Sequence, residues 1–357
     1  MSASNLANIS AVLSVLFLDP IMAQYRRDAI LPNLLECEYQ SDGTAHWSVK
    51  FAARNTADAK AEGYTVQTSD FSTDTKVNAS LAWAHYEAYA SVTGTASRIQ
   101  AGNASQAVGP SLIDSELMDA AQELAVKLST HTYSGQVGAS PTQLSGLAEA
   151  VDSTGTYAGL AQGTYADWAS GENSGALASL DLNMLRTKLL RPYRDNVGKN
   201  PNLVLTTGAI LDQIQALFDA KSLIMVQSVQ GAGDLGKIDI AALGFRGVMV
   251  DGVPFIEDRH CTAGTLYAID PNMLKYRQVP PSWAAMDPMQ IQGLIKDLTG
   301  QVIAYDDIRA LMQRASKRLS GQVNALAKVG DSTSLQIVLD AQLVLKRRNA
   351  ASKLTLS

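Results

Sequence analysis

YQSDGTAHWSVKFAARNTADAKAEGYTVQTSDFSTDTKVNASLAWAHYEAYASVT, residues 39–93, cannot build a core of its own. Only seven of its fifty-five residues are Leu, Ile, Val, Met or Phe: Val49, Phe51, Val66, Phe71, Val77, Leu81 and Val92. That density is typical of extended or disordered chain. Its two ends nevertheless alternate with the period of strands, Trp47, Val49, Phe51 on one side and Val77, Ala79, Leu81, Trp83 on the other. Between them lies a polar tip, Arg54 to Thr75. The pattern predicts a long two-stranded arm projecting from a folded body. An isolated hairpin is marginally stable at best, so the arm requires a surface supplied by a neighbouring subunit. The aromatics Trp47, Trp83, Tyr86 and Tyr89 are expected to dock there, because Tyr and Trp are favoured at buried contacts between chains.

The chain around this stretch has 357 residues, enough for more than one compact unit. Apolar content of 46% is that of an ordinary folded protein, and aromatic content is only 6%. A net charge of −5 argues against broad phosphate binding, which needs clustered Lys and Arg. The two cysteines, Cys37 and Cys261, are far apart, form no framework and are expected as free thiols in a reducing compartment. Ile9–Leu18 is too short to span a bilayer and is interrupted by Asp19–Pro20. No Lys or Arg precedes it, so it lacks the charged start of a signal peptide and reads as an arm that packs on protein.

Outward from the arm, Thr93–Gly109 is a Gly/Ala/Ser-rich connector. Ser111 and Asp114 then open a helix. Leu112, Leu117, Ala120, Ala121, Leu124, Ala125 and Leu128 form its apolar stripe. Ser111 to Thr132 makes a spine of about 33 Å. Helices and strands alternate over 140–280. The expected helices are Thr142–Val151, Ala176–Asn196 with a kink at Pro192, and Ala209–Ala220; the expected strands are Asn202–Thr206, Ser222–Gln230, Phe245–Pro254 and Thr265–Ile269. Gly155–Trp168 reads as a loop, and 288–328 as helical. Leu335–Leu345 and Ser352–Leu356 read as terminal strands joined through KRRNA.

None of the motifs that carry chemistry holds up. GAGDLGKI, Gly231–Ile238, satisfies G-x-G-x-x-G, and Asp251 could supply the acid of a dinucleotide site. Only Lys237–Gly247 lies between, too little for a crossover helix, and Ile238 stands where a phosphate loop needs Ser or Thr. A nucleotide-binding enzyme using the loop at 231–236 is therefore the remote reading, and a surface loop the plain one. His260 and Cys261 are adjacent, near Glu257 and Asp258, but neighbours in extended chain point to opposite faces. Cys37, His46, His85 and His131 show no ligand spacing. There is no G-x-S-x-G, and Asp306–Asp307 opens a helix, where acids favour the dipole. Lys346–Arg348 reads as a solvated turn before it reads as a nucleic-acid contact. No catalytic, cofactor-binding or metal residue is assigned.

The order of parts resembles the major capsid protein of tailed bacteriophages. YRRDAILPNLLE (Tyr25–Glu36) resembles that family's arm, and VKFAARNTADAKAEGYTV (Val49–Val66) its extended loop. LSGLAEAVDSTGTYAGL (Leu144–Leu160) is similar to the start of its axial domain. GVMVDGVPFIED (Gly247–Asp258) with TLYAID (Thr265–Asp270) resembles its late paired strands. LDAQLVLKRRNAASKLT (Leu339–Thr355) resembles its C-terminal return. The resemblance implies an α+β tailed-phage major capsid fold in four parts: an N-terminal arm at 1–36, an extended β-hairpin loop at 37–96, a peripheral domain with the long spine helix at 97–139 and 333–357, and an axial α/β domain at 140–332. It implies a structural, non-enzymatic subunit that assembles with itself into pentamers and hexamers of an icosahedral shell. The expected partners are a scaffolding protein, a portal, a decoration protein and packaged DNA on the inner face, with no membrane. The expected location is the virion capsid, assembled in the host bacterial cytoplasm. An encapsulin-like nanocompartment shell is the alternative on the same fold.

Overall fold

The computed structural model describes residues 31–51, 62, 64–65, 76–93, 112–220, 247–287, 289–292, 305–326 and 331–357. The expected arm segment Ile9–Leu18, most of the hairpin tip, the connector after Thr93, the strand Ser222–Gln230 and the loop Gly231–Ile238 lie outside them. The elements used below are, in chain order, α1 (Leu31–Leu34), β1 (Cys37–Tyr39), β2 (Ala45–Lys50), β3 (Lys76–Leu81), β4 (Ala84–Thr93), α2 (Leu112–Ser134), β5 (Thr156–Tyr157), β6 (Leu160–Ala161) and β7 (Gly171–Gly175). They continue with helix α3 (182–197), β8 (Leu203–Thr206), α4 (Gly208–Ala220), β9 (Gly247–Val250), β10 (Val253–Glu257), β11 (Thr265–Ile269) and β12 (Leu274–Gln278). The last are α5 (Tyr305–Ser316), β13 (Gln322–Ala325), β14 (Ser332–Leu345) and β15 (Ala351–Leu356).

Two sheets share the helix α2. The first is five-stranded and centred on β14, which pairs antiparallel with β4, β12 and β13, while β1 runs parallel to β12. On β4 the side chains alternate: Ala84, Tyr86, Ala90 and Val92 are buried, and His85, Glu87, Tyr89 and Ser91 are exposed. Of these, Ala84, Tyr86 and Ala90 meet the α2 stripe Leu117, Ala120, Ala121, Leu124 and Leu128 in one core. This is the half-buried pattern of an antiparallel sheet with one face covered by a helix. Further along α2, Thr132 Oγ1 lies 2.7 Å from the Tyr276 hydroxyl of the first sheet, and Tyr133 donates to Asp258 Oδ2 at 2.7 Å, just beyond β10 of the second. The helix therefore joins both layers. Its end is tight: a Cβ on Gly146 would come within 2.6 Å of Gly135 N and 2.8 Å of His131 O.

The second sheet has six strands in the order β7-β15-β11-β8-β10-β9. Its central strands β8 and β11 are buried at every position, as expected of strands covered on both faces. Val204, Phe255, Leu266, Ala268 and Leu354 pack against Leu185, Leu189 and Leu190 of α3 and Ile210, Leu211 and Ile214 of α4. Leu203, Leu205, Ile256, Tyr267 and Ile269 turn the other way, into the core shared with α2.

Several sequence expectations change here. Ala84–Thr93 is not part of a free arm. Ten of its residues pair with β14, because its apolar period places a full buried face under α2. The return 333–357 is divided: β14 belongs to the first sheet, but β15 pairs with β11 and β7 in the second. Phe245–Pro254 is not one strand. Asp251 (φ 50°) and Gly252 (φ 79°) both take positive φ and fold it into the hairpin β9–β10, the conformation Asp-Gly favours. Gln322–Ala325, expected as helix, is a strand on β14. Gly155–Trp168, expected as loop, contains the hairpin β5–β6. Thr142–Val151 is helical only over Leu147–Ala150.

The kink expected at Pro192 takes the form of a π segment. α3 is one α turn at Leu182–Met184, a π stretch Leu185–Leu190 and an α stretch Arg191–Val197. Pro192 has no N–H to offer the carbonyl of Lys188. That carbonyl accepts from Asn173 Nδ2 of β7 at 2.8 Å, and the next, of Leu189, accepts from Ser352 Oγ of β15 at 2.8 Å. The local defect thus pins the helix to the sheet edge.

Candidate assembly site at the hairpin root

The alternation in 45–50 and 76–81 pairs as the sequence predicts, with Trp47 opposite Ala79 and Val49 opposite Val77. One face of this hairpin lies on the body at the β12–β14 end of the first sheet. Trp47 is buried, and its Nε1 donates to the Lys346 carbonyl at 3.2 Å. Its ring lies 6.3 Å from that of Tyr157, and the Arg277 guanidinium sits 5.9 Å from its centroid. At the last described residue before the tip, Phe51 stacks on Tyr165 at 4.4 Å and meets Trp168 edge-on at 5.6 Å. Such pairs add about 0.5–1.5 kcal/mol each beyond the area they bury. The root is thus clamped by an aromatic cluster whose far half comes from the segment 157–168.

Polar groups complete the clamp. Trp168 Nε1 donates to the Tyr157 carbonyl at 3.2 Å, and the Tyr157 hydroxyl accepts from Leu345 N at 3.0 Å. Arg348 is 1% exposed. It donates to the carbonyls of Ala150 (3.1 Å) and Thr154 (3.0 Å), and its guanidinium lies 5.5 Å from the Tyr157 ring. Burial lowers its pKa. On the other strand, Ser80 N donates to the Ala158 carbonyl at 3.0 Å. Gln342 is fully buried: its Nε2 donates to the Ala82 carbonyl at 2.7 Å, and its Oε1 accepts from Ser145 N at 2.6 Å. Trp83 Nε1 donates to the Asp42 carbonyl at 2.7 Å, closing the loop before β2.

Beside this lies an ion cluster that ties β1 to β12 and the end of β14. Glu38 meets Lys346 at 2.7 Å, Arg277 at 3.4 Å and Lys275 at 3.5 Å, and Glu36 meets Lys275 at 2.9 Å. Burial works against the charge on Glu38, and the three cations outweigh it, holding its carboxyl below the ordinary range. Lys275, through its hydrogen bond and charge, does the same for Glu36.

The open part of the first sheet is polar. His85 Nδ1 lies 2.5 Å from Asp340 Oδ1 across the strands and Nε2 lies 2.6 Å from Glu87 Oε1, while the Tyr89 hydroxyl donates to Glu87. Hydrogen bonds to Asp340 and then Glu87 raise the His85 pKa. Its neighbour Tyr86, on the buried face, behaves differently. The Tyr86 hydroxyl accepts from Leu144 N at 3.0 Å and contacts His131 Nδ1 at 2.7 Å. Burial lowers the His131 pKa. The four aromatics read as one docking set thus separate. Trp47 and Tyr86 are internal, Trp83 closes a loop, and Tyr89 alone stands 60% exposed.

The residues weighed for chemistry do structural work. Asp258 is buried and accepts from the Tyr133 hydroxyl and from His260 N, building the turn after β10. Cys37, in β1, and Cys261, in the loop between β10 and β11, are buried free thiols, and burial pushes both pKa values up. Asp251 sits at the β9–β10 turn, where both its oxygens accept from Arg186 at 2.7 Å. Among the described residues no group of His, Cys, Asp or Glu is arranged to hold a metal, and no helix is long and apolar enough to cross a membrane. The run Lys346–Arg348 is not a shared surface: Lys346 pairs with Glu38, Arg348 is interior, and only Arg347 is exposed.

Comparisons with known proteins agree with this geometry. The chain is similar in fold to the capsid subunit of cyanophage A-1(L), with a TM-score of 0.60 at 17% identity over 92% of each chain. It resembles the capsid of the native GTA particle, with a TM-score of 0.54 at 10% identity over 92% of this chain and 89% of that one. It also resembles the SrpI encapsulin from Synechococcus elongatus, with a TM-score of 0.53 at 9% identity over 91% and 86%. At these identities the likeness establishes the fold alone, which phage and compartment shells share. No curated protein matches. The family model for the SU10 major capsid protein, however, matches residues 33–297, from α1 through the hairpin root and past β12. That span takes in most of the 357 residues, and the chain therefore belongs to the SU10 major capsid protein family, a structural subunit that forms a shell.

Proposed function

We propose that this chain closes the icosahedral shell around the double-stranded DNA of a tailed phage, as rings of five and six copies, with no catalytic site. The observation that carries this reading is the hairpin root. Lys50 pairs with Lys76, and the twenty-five residues between them include only Phe51, Val66 and Phe71 from the Leu, Ile, Val, Met and Phe set. A segment that cannot bury itself, fixed at its base by an aromatic clamp, gains its stability from a surface on the next copy. Heterologous contacts of this kind close into rings.

On this reading the hairpin loop is 45–81, and the peripheral domain is α2 with the first sheet. The axial domain is the second sheet with α3, α4 and the terminal strand β15. A scaffolding protein, a portal and a decoration protein are its assembly partners, packaged DNA lies on the inner face, and assembly takes place in the host bacterial cytoplasm. Replacing residues 53–73 by a two-residue Asn-Gly turn tests it. The subunit should keep its melting transition and lose closed particles; normal shells of unchanged stability would contradict the reading.

A further inference from the structure

Residues 182–199 hold Arg186, Lys188, Arg191, Arg194 and Lys199 against a single acid, Asp195, in a chain whose net charge is −5. The fold sorts them. Leu182, Leu185, Leu189, Leu190 and Tyr193 of α3 are buried, which leaves Arg191 and Arg194 exposed on the helix, while Arg186 and Lys188 reach the edges of the second sheet at Asp251 and Ser174. The Arg191 side chain is 69% exposed and that of Arg186 49%. Arg347 joins them from the far end of the sequence, its Nη2 donating to the Asn196 carbonyl at 3.1 Å. Arg186 is held by Asp251, Arg191 lies 3.6 Å from Asp195, and Lys199 lies 2.9 Å from Asp270. Lys188 donates to the Ser174 carbonyl at 2.6 Å. Arg194 and Arg347 have no ion-pair partner among the described residues. The sign is opposite to that of the open face of the first sheet, where Glu87 and Asp340 flank His85.

We propose that this outer face of α3, with Arg347, is the surface the subunit turns to double-stranded nucleic acid, gripping phosphates without reading bases. The inference rests on the shell reading above and adds the residues that make the contact. Arg186 to the end of α3 at Val197 covers about 17 Å at 1.5 Å per helical residue, roughly the length of five phosphates along one strand. Four of the six cations are arginines, whose planar fork suits phosphate oxygens. Between them stand Thr187, Asp195 and Asn196, with no exposed aromatic or aliphatic anchor of the kind that centres a contact with protein.

The test is fluorescence anisotropy of a labelled random-sequence duplex titrated with the full chain over a salt series. The variant Arg191→Gln/Arg194→Gln/Arg347→Gln changes exposed side chains only, and its melting curve controls for folding. Its slope of log K against log salt should flatten by about 2 to 3, since each lost phosphate contact removes about 0.9. Lys127→Gln/Arg309→Gln/Lys317→Gln, exposed positions outside both α3 and the hairpin root with the same change in net charge, should keep the slope. Equal slopes for the wild type and the arginine variant would overturn the proposal, as would equal flattening by both triples. Displacement of the duplex by oligoglutamate at matched charge would assign the patch to an acidic protein segment and overturn it too. Particles are imaged in the same preparations. Wild-type protein that forms no shells even with a scaffolding protein supplied overturns the reading beneath; shells with unchanged duplex binding in the arginine variant overturn this inference alone.

Discussion

Strands β2 and β4 both alternate, both carry aromatics, and sit within fifty residues of each other, yet they do opposite things. β2 spends its large side chain, Trp47, on fixing a hairpin to the body, against Tyr157, Arg277 and the Lys346 carbonyl. β4 is woven into the first sheet along its whole length and shows solvent a row of polar groups: His85, Glu87 and Tyr89. The difference teaches that period and aromatic content identify a strand and its buried face, while the partner strand decides whether it is arm or body. For β4 that partner is β14, nearly 240 residues away in sequence at the first pair.

The comparison breaks most readily at the clamp. Trp47→Ala should cost about 3–5 kcal/mol, as for other buried Trp truncations, read as a lower midpoint in denaturant unfolding; a loss under about 1 kcal/mol would mean the hairpin root is not anchored as described. Gln342→Leu should come next, at about 1–3 kcal/mol. It strands the Ala82 carbonyl and Ser145 N, groups at the junction between hairpin and body.

The open face of β4 should respond to pH and only weakly. The folded-state pKa of His85 is raised above its ordinary 6.5, so its contribution is fully present below about that value and is lost as pH rises through the folded pKa. His85 is half exposed, which limits the effect to below about 1 kcal/mol. Melting measured from pH 5.5 to 8.5 should show this slope, and His85→Gln should remove it. Smallest of all, Tyr89→Ala should shift subunit stability by no more than about 0.5 kcal/mol, an outcome that sharpens the contrast with Trp47.

Much of the fold is legible in the sequence where a signal is local. The α2 stripe, the β2–β3 pairing, the strand before α4, α4 itself and the first turn of α5 all follow from period and capping. What escapes depends on distant partners or on turn chemistry. The split of 333–357 between two sheets is set by pairing with β4 and with β7, which no local pattern reports. The Asp251–Gly252 turn carried a readable signal, Asp-Gly between apolar runs, obscured when Asp251 is weighed as a ligand for a nucleotide. The clamp is written as Tyr157, Tyr165 and Trp168, aromatics in a stretch too short and Gly-rich to read as anything but loop. The basic face of α3 is visible as a local surplus of cations, hidden by the negative total. The run Lys346–Arg348 misleads in the other direction, since burial and pairing remove two of its three charges from the surface.

Imaging of the purified full-length chain by electron microscopy, with light scattering on the same peak, bears most directly on the shell. Closed particles, or rings of five and six copies, are expected, and they should disappear on replacing residues 53–73 while the subunit stays folded. A chain that remains monomeric at high concentration and alongside a scaffolding protein, with the hairpin intact, would contradict a subunit whose arm is completed by its neighbour.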